Sequence, residues 1–210
     1  MLIPDLTMMG GPFASVLDVG GNIGDFAKAA YLRWPDAQIV SFEPLSDVAQ
    51  ENFQRAQGRW QVSSVGLGAS NNRAAMRKHK HATAVSTLME PGSARAGLGI
   101  EDEWEARTVN LAPLDDFLDL IVPPCLLKID VEGYELHVLR GATHALDRID
   151  TVVVEVQNDP HIFEGSPSVD EIDGILNYHG LRFTGLAGAY LNPRTDQVMQ
   201  YDGVWTRADR

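Results

Sequence analysis

The sequence predicts an α/β fold: a doubly wound, mostly parallel sheet of about seven strands that ends in an antiparallel hairpin. Three observations carry the prediction. Strand-period and helix-period segments alternate along most of the 210 residues, the pattern of a parallel sheet covered on both faces. An apolar run, Ser15-Val-Leu-Asp-Val19, leads directly into a glycine-rich turn, Gly20-Gly-Asn-Ile-Gly24. The chain closes with two strand-like runs, Leu181 to Leu186 and Gln197 to Thr206, separated by the turn formers Asn192-Pro-Arg-Thr-Asp196.

The elements follow in order. The first strand covers Val16 to Val19, with Asp18 at its carboxyl end, and a helix starts near Ile23 with Phe26, Ala27, Ala30 and Tyr31 on one face. A second strand, Gln38 to Phe42, ends in Glu43. Pro44 is expected to open a second helix, with Val48, Ala49, Asn52 and Phe53 inward and Gly58 as its stop. Trp60 to Val65 reads as the third strand, followed by Gly66-Leu-Gly68 and a polar turn at Ser70-Asn-Asn72. From Ala74 to about Arg107 no apolar period is sustained, and residues 79–106 read as a substrate-side insertion or lid. Regularity returns with a strand at Thr108 to Leu111, a short helix at Leu114 to Leu118, a strand from Cys125 to Asp130 and a helix from Tyr134 to Arg140. A buried strand from Thr151 to Val156 and a helix from Val169 to Tyr178 lead into the terminal hairpin. No repeat or linker divides the chain, so residues 1–210 are expected to form one domain.

Composition narrows the function. A formal charge of −12 argues against a sequence-independent grip on nucleic acid, which needs a clustered cationic surface. The one basic run, Arg77-Lys-His-Lys-His81, lacks interleaved aromatics and reads as a solvated hairpin. A small-molecule, sugar or glycan, or peptide partner fits better. Cys125 is the only cysteine and opens an apolar run, which suits a buried, inert thiol and a reducing compartment. No secretory signal and no uncharged apolar run of membrane-spanning length is seen, so no membrane contact and a cytoplasmic location are expected.

Two constellations carry chemistry. The first is the acid-x-Gly-Gly-x-x-Gly turn together with Glu43, about 20 residues beyond Gly20, where a strand-end acid can accept both hydroxyls of a ribose. The nicotinamide fingerprint fails here, because Asn22 and Asp25 stand where its second and third glycines belong. The second is Leu127-Lys-Ile-Asp-Val-Glu-Gly-Tyr-Glu-Leu136. Alternation sends Leu126, Lys128 and Asp130 to one side of the strand, and two charges on an apolar strand require partners or a cavity. One reading is that Lys128 and Asp130 merely neutralise each other. The functional reading puts Asp130 at the mouth of the crevice as a base for a substrate hydroxyl, with Lys128 holding it ionised, and with Glu132 and Glu155 reaching the same mouth. Three carboxylates with His161 nearby also suit a hard divalent cation, but no spacing enforces this and metal is not favoured. His137 reads as packing, and Trp104, within the insertion, as a ring able to stack on a substrate.

Asp18-Val-Gly-Gly-Asn-Ile-Gly24, Ser41-Phe-Glu-Pro44, Lys128-Ile-Asp-Val-Glu-Gly-Tyr-Glu135 and Val138-Leu-Arg-Gly-Ala142 together resemble the FkbM-type S-adenosylmethionine-dependent methyltransferases, over about residues 16–157. The resemblance implies a Rossmann-like class I methyltransferase fold, S-adenosylmethionine as cofactor with S-adenosylhomocysteine as product, and O-methylation of a hydroxyl on a sugar or natural product. It assigns Asp18, Gly20, Gly21, Asn22, Gly24, Glu43 and Pro44 to the cofactor, and Lys128, Asp130 and Glu132 to the substrate side. Gly21 stands where the family commonly has alanine, which is expected to loosen the turn mildly. The segment before the first strand is shorter than relatives often carry, so the pocket is expected to be open and completed by residues 79–106 or by another subunit of a homo-oligomer. Competing readings are a dinucleotide-dependent oxidoreductase and a non-catalytic module that keeps the cofactor fold for binding.

Overall fold

The structure, a computed structural model, describes residues 3–93, 103–159, 162–192 and 195–207. After a single turn of 3-10 helix (Leu6–Met9), the elements are β1 (Ser15–Val19), α1 (Asp25–Arg33), β2 (Gln38–Phe42), α2 (Ser46–Ala56), β3 (Gln61–Ser63), β4 (Gly66–Leu67) and β5 (Asn72–His79). A 3-10 turn (Thr83–Val85) and β6 (Glu90–Pro91) precede β7 (Trp104–Ala112) and a further 3-10 segment (Leu114–Leu120). Then come β8 (Cys125–Ile129), α3 (Glu135–Arg140), α4 (Thr143–Leu146), β9 (Thr151–Gln157), β10 (Phe163–Glu164), α5 (Val169–Tyr178), β11 (Leu181–Leu191) and β12 (Val198–Arg207).

Seven strands form the main sheet in the order β11-β12-β9-β8-β1-β2-β3. β12 alone runs against its neighbours, pairing antiparallel with both β9 and β11, while the other pairings are parallel. The order reverses beside β1, so the carboxyl ends of β1, β2 and β8 bound a crevice, the usual place for a ligand in such a sheet. This is the doubly wound sheet with a terminal hairpin that the alternation predicts.

Period-two alternation divides the strands between two cores. Val16, Ile39, Leu126, Val153 and Val204 face a layer made by α1 and the first 3-10 turn, packing with Phe26, Ala30, Trp34 and Met9. Leu17, Val40, Leu127, Ile129, Val152 and Trp205 face the other layer, where α3, α4 and α5 contribute Val138, Leu146, Ile172 and Leu176. Cys125 lies in this second core, and burial pushes its thiol up to about 12, which leaves it inert.

Several boundaries differ from expectation for identifiable reasons. The first helix begins at Asp25 because Gly24 precedes it in a left-handed conformation, φ +87°. Pro44 does not open the second helix: Leu45 is extended, its N–H is taken by the Glu43 carboxylate at 2.8 Å, and the helix begins at Ser46. Phe53 is not on the inward face but 61% exposed: Val48, Ala49, Asn52 and Ala56 are the buried residues of the helix, and Phe53 lies at the edge of that stripe, one turn beyond Ala49.

The largest difference concerns Ala74 to Arg107, read as irregular. β5 and β7 pair antiparallel from Asn72 opposite Leu111 to His79 opposite Trp104, and β4 joins β7 to make a three-stranded sheet. Most of the residues of these two strands are exposed or half-buried, so no apolar alternation marks them. Met76, Val109 and Leu111 anchor the hairpin on Leu45 and Val48. The basic run lies on β5 and the turn after it and is neutralised there, with Arg77 paired to Glu90, Lys78 to Asp47 and Lys80 to Glu103. Part of the 79–106 insertion, residues 94–102, lies outside the described residues, as does His161. Among the described residues, no helix is long and apolar enough to cross a membrane.

Candidate active site

The turn after β1 is shaped by what crowds against it. Gly20 has φ +80°, and a Cβ there would stand 1.8 Å from the Asp130 carbonyl oxygen, so the backbone of the first constellation touches that of the second. A Cβ at Gly21 would stand 1.7 Å from Ser41 Oγ and 3.0 Å from Asp18 Oδ2. A side chain at 21 would therefore require the Ser41 hydroxyl to move. That hydroxyl donates to Asp18 Oδ2 at 3.0 Å and accepts from Asn52 Nδ2 at 3.0 Å. Asn52 also donates to the Asn22 carbonyl at 3.0 Å and accepts from Trp60 Nε1 at 2.8 Å, which explains a polar residue on the inward face of α2.

Glu43 closes the arrangement at the tip of β2. It is 5% exposed; Oε2 accepts from Asn22 N at 3.0 Å and Oε1 from Leu45 N at 2.8 Å. Burial drives its carboxyl up to about 7, against the pull of those two N–H donors. Each oxygen keeps a lone pair for a further donor.

Glu43 and Asp130 line one cleft, with empty space of about 540 Å³ including its open mouth. Gly20, Asn22 and Pro44 share its wall, Leu67, Met76 and Leu111 supply an apolar side, and Glu132 and Tyr134 stand beyond Asp130. The insertion covers it from above through Thr83, Ala84, Ser86 and Leu88, with Thr83 Oγ1 donating to Asn22 Oδ1 at 2.9 Å.

Five of the residues read from sequence, Asp18, Gly21, Gly24, Lys128 and Glu155, do not line this cleft. Gly21 and Gly24 shape the turn but do not line the cleft. Asp18 is fully buried on the side of the sheet facing α1, where Lys128 Nζ reaches Asp18 Oδ1 at 3.6 Å and Asp130 Oδ2 at 3.0 Å. Lys128 thus pairs with two carboxylates, not with Asp130 alone. Burial by itself would lower its pKa, but Asp130 and Asp18 carry it above the ordinary lysine range, and the ammonium stays charged. It lies over the Phe26 ring at 5.4 Å, does not line the cleft and contacts Asp130 from outside it.

Glu132 adopts φ +56°, and the turn holding it is fixed from two sides. Thr87 Oγ1 donates to its carbonyl at 2.6 Å, and Glu135 Oε1 accepts from Val131 N at 3.2 Å and Gly133 N at 3.1 Å. Glu155, at the end of β9, comes together with Asp130 and Glu132, but unlike them it does not line the cleft mouth it was expected to reach. Burial, then Asp130 and Glu132, raise its pKa well above the usual carboxylate range. The sequence reading missed Asp202, which sits directly opposite Glu155 in the β12–β9 register and is pushed up to about 6 by burial and by Asp130. Only the strand register reveals it. Trp104 does not reach the cleft and packs edge-to-face on His79 at 5.0 Å; His137 stacks on Tyr134 at 4.0 Å, a packing role as expected.

A doubly wound sheet with one reversed strand, carrying an acid at the tip of its second strand beside a glycine turn, defines the class I methyltransferase architecture. Comparison with known proteins agrees: the methyltransferase FkbM domain matches residues 18–183, and the chain belongs to that family. It is 32% identical over 160 residues to Methyltransferase 1 of Beauveria bassiana, covering 67% of this chain and 64% of the relative. It is 30% identical over 144 residues to the hexuronic acid methyltransferase AglP of Haloferax volcanii, covering 66% and 54%. The chain thus spans between about half and two thirds of the length of these relatives. Among solved structures, the N-methyltransferase NodS of Bradyrhizobium japonicum shares the fold, with TM-score 0.52 and 9% identity over 98% of this chain and 90% of that one.

Proposed function

We propose that this chain is an S-adenosylmethionine-dependent O-methyltransferase acting on a hydroxyl of a sugar, glycan or natural-product small molecule. The observation that carries the proposal is the convergence of Glu43 and Asp130 on one cleft. The cleft suits the cofactor: a carboxylate with free lone pairs for ribose hydroxyls, a glycine turn that lines the same wall through Gly20 and Asn22, and an apolar wall at Leu67 and Leu111 for a base. When bound, the cofactor supplies a methyl group on a sulfonium, transferred by in-line displacement in which positioning provides much of the acceleration. Glu43 holds the ribose, and the Gly20 to Gly24 turn receives the methionine end. Asp130 takes the proton from the acceptor hydroxyl, with Lys128 Nζ, 3.0 Å from Asp130 Oδ2, keeping the carboxylate aimed. The insertion residues Thr83 to Leu88 exclude water from above.

Calorimetry with S-adenosylhomocysteine tests the donor half. Glu43→Ala is expected to weaken binding by about 1.5–3 kcal/mol, the range for hydrogen bonds to a charged group. Unchanged affinity would contradict the assignment. A panel of sugars, glycans and phenols with labelled S-adenosylmethionine tests the acceptor half; the proposal expects label on oxygen.

Glu43 also sets a pH dependence. Its carboxyl rises from an ordinary 4.5 to about 7 in the free protein, and ribose hydroxyls favour the ionised form. Affinity for S-adenosylhomocysteine is therefore expected to be full above pH 7 and to fall about tenfold per unit below it. Folding responds with the opposite sign: a raised carboxyl pKa costs stability as pH rises from 4.5 through 7, and that cost is relieved on acidification. A binding profile that stays flat from pH 5 to pH 8, or one unchanged in Glu43→Gln, would remove Glu43 as the source.

A further inference from the structure

Three carboxylates crowd together at one corner of the cleft, where Asp130 and Glu132 line the wall and Glu155 joins them from the end of β9. One oxygen from each of Asp130, Glu132 and Glu155 lies within 4.8 Å of the other two, and Glu132 and Glu155 are each only 7% exposed. Like charges at such separations require protons or a cation to offset them. Lys128 answers this only in part, because it is shared between Asp130 and Asp18 of the neighbouring strand β1.

A second observation points to a ligand. Gln157, 5% exposed, donates through Nε2 to Glu155 Oε2 at 2.9 Å, while the other arm of the same amide, Oε1, has no hydrogen-bond partner. A buried carbonyl oxygen left without a donor is costly, and a cation would use it. Glu155 Oε1 accepts from Gln200 Nε2 at 2.6 Å, so two amides orient this carboxylate in the way outer partners orient metal ligands. Every donor in the group is an oxygen, which selects a hard cation over a soft one.

We infer that Glu132, Glu155 and the Gln157 carbonyl, with Asp130 at the edge, form a binding site for a hard divalent cation of the magnesium type. The inference deepens the proposed function, because it rests on reading this corner as the acceptor side. There the ion offsets the crowded carboxylates and draws in an oxygen-rich acceptor, including one that carries its own carboxylate, while Asp130 keeps one oxygen on Lys128.

The test is a titration of the whole chain with Mn²⁺, followed by the paramagnetic resonance signal of the free ion. One Mn²⁺ bound per chain and displaced by Mg²⁺ is expected. Affinity should fall at least about tenfold in Glu155→Gln and in Glu132→Gln, and should be unchanged in Asp119→Asn, an exposed acid on the 3-10 segment before β8. No binding in the millimolar range, or equal binding in both glutamine variants, overturns the site. Calorimetry with S-adenosylhomocysteine on the same samples separates the two readings: cofactor binding without Mn²⁺ binding overturns the ion site alone, and Mn²⁺ binding without cofactor binding overturns methyl transfer alone.

Discussion

Replacing Lys128 with methionine is expected to lower the free energy of unfolding by about 3–5 kcal/mol, the usual loss when one partner of a buried ion pair is removed. Methionine preserves most of the packing against Phe26, so the loss reports charge and not volume. Asp18 would be left fully buried with Ser41 as its remaining donor, and Asp130 would face Asp18 and Asp202 without a counter-charge. The defect should depend on pH. Burial raises the Asp18 pKa, so its carboxylate costs stability as pH rises through that raised value, and protonation relieves the cost on acidification. Lys128 itself titrates above the ordinary lysine range and stays charged throughout. Urea denaturation of both proteins at pH 5 and pH 8 should therefore show the larger gap at pH 8. A gap under about 1 kcal/mol at pH 8, within the range of a surface pair, would mean that the triad does not hold the strands together.

Asp130→Asn is expected to lower turnover by about 10²–10⁴-fold, the usual contribution of a positioned base, with affinity for S-adenosylhomocysteine nearly unchanged. The amide keeps the shape of the carboxylate and can still accept from Lys128, so the Asp130–Lys128 contact survives while the capacity to take a proton is lost. Turnover is read on the acceptor found in the labelled panel, and cofactor affinity by calorimetry. A variant as fast as the parent would remove Asp130 from the role of base. A variant that loses cofactor affinity by the same factor would make Asp130 a binding residue instead.

Much of this site was legible in the sequence because its pieces are local. A strand, its acid and its glycine turn are contiguous, so Val16 to Gly24 and Lys128 to Glu135 announce themselves by pattern, as does Glu43 by its distance from Gly20. What was not legible depends on pairing between distant segments. The β5–β7 hairpin shows little apolar alternation because its strands are mostly exposed or half-buried, with Met76, Val109 and Leu111 as its buried apolar anchors. Asp202 meets Glu155 only through the register of β12 on β9, and no spacing along the chain encodes that register. Asn52 looked like part of an apolar stripe, yet it is buried because the turn needs its amide.

The contact between the Gly20 α-carbon and the Asp130 carbonyl has a consequence for redesign. The glycine turn and the strand end that carries Asp130 share one seam with no slack, so any side chain at position 20 would displace both together. Under the proposed function, room to retune the acceptor lies instead in Ala84 to Leu88 above the cleft and in the side chains of Gln200 and Asp202, none of which is among the atoms that crowd position 20.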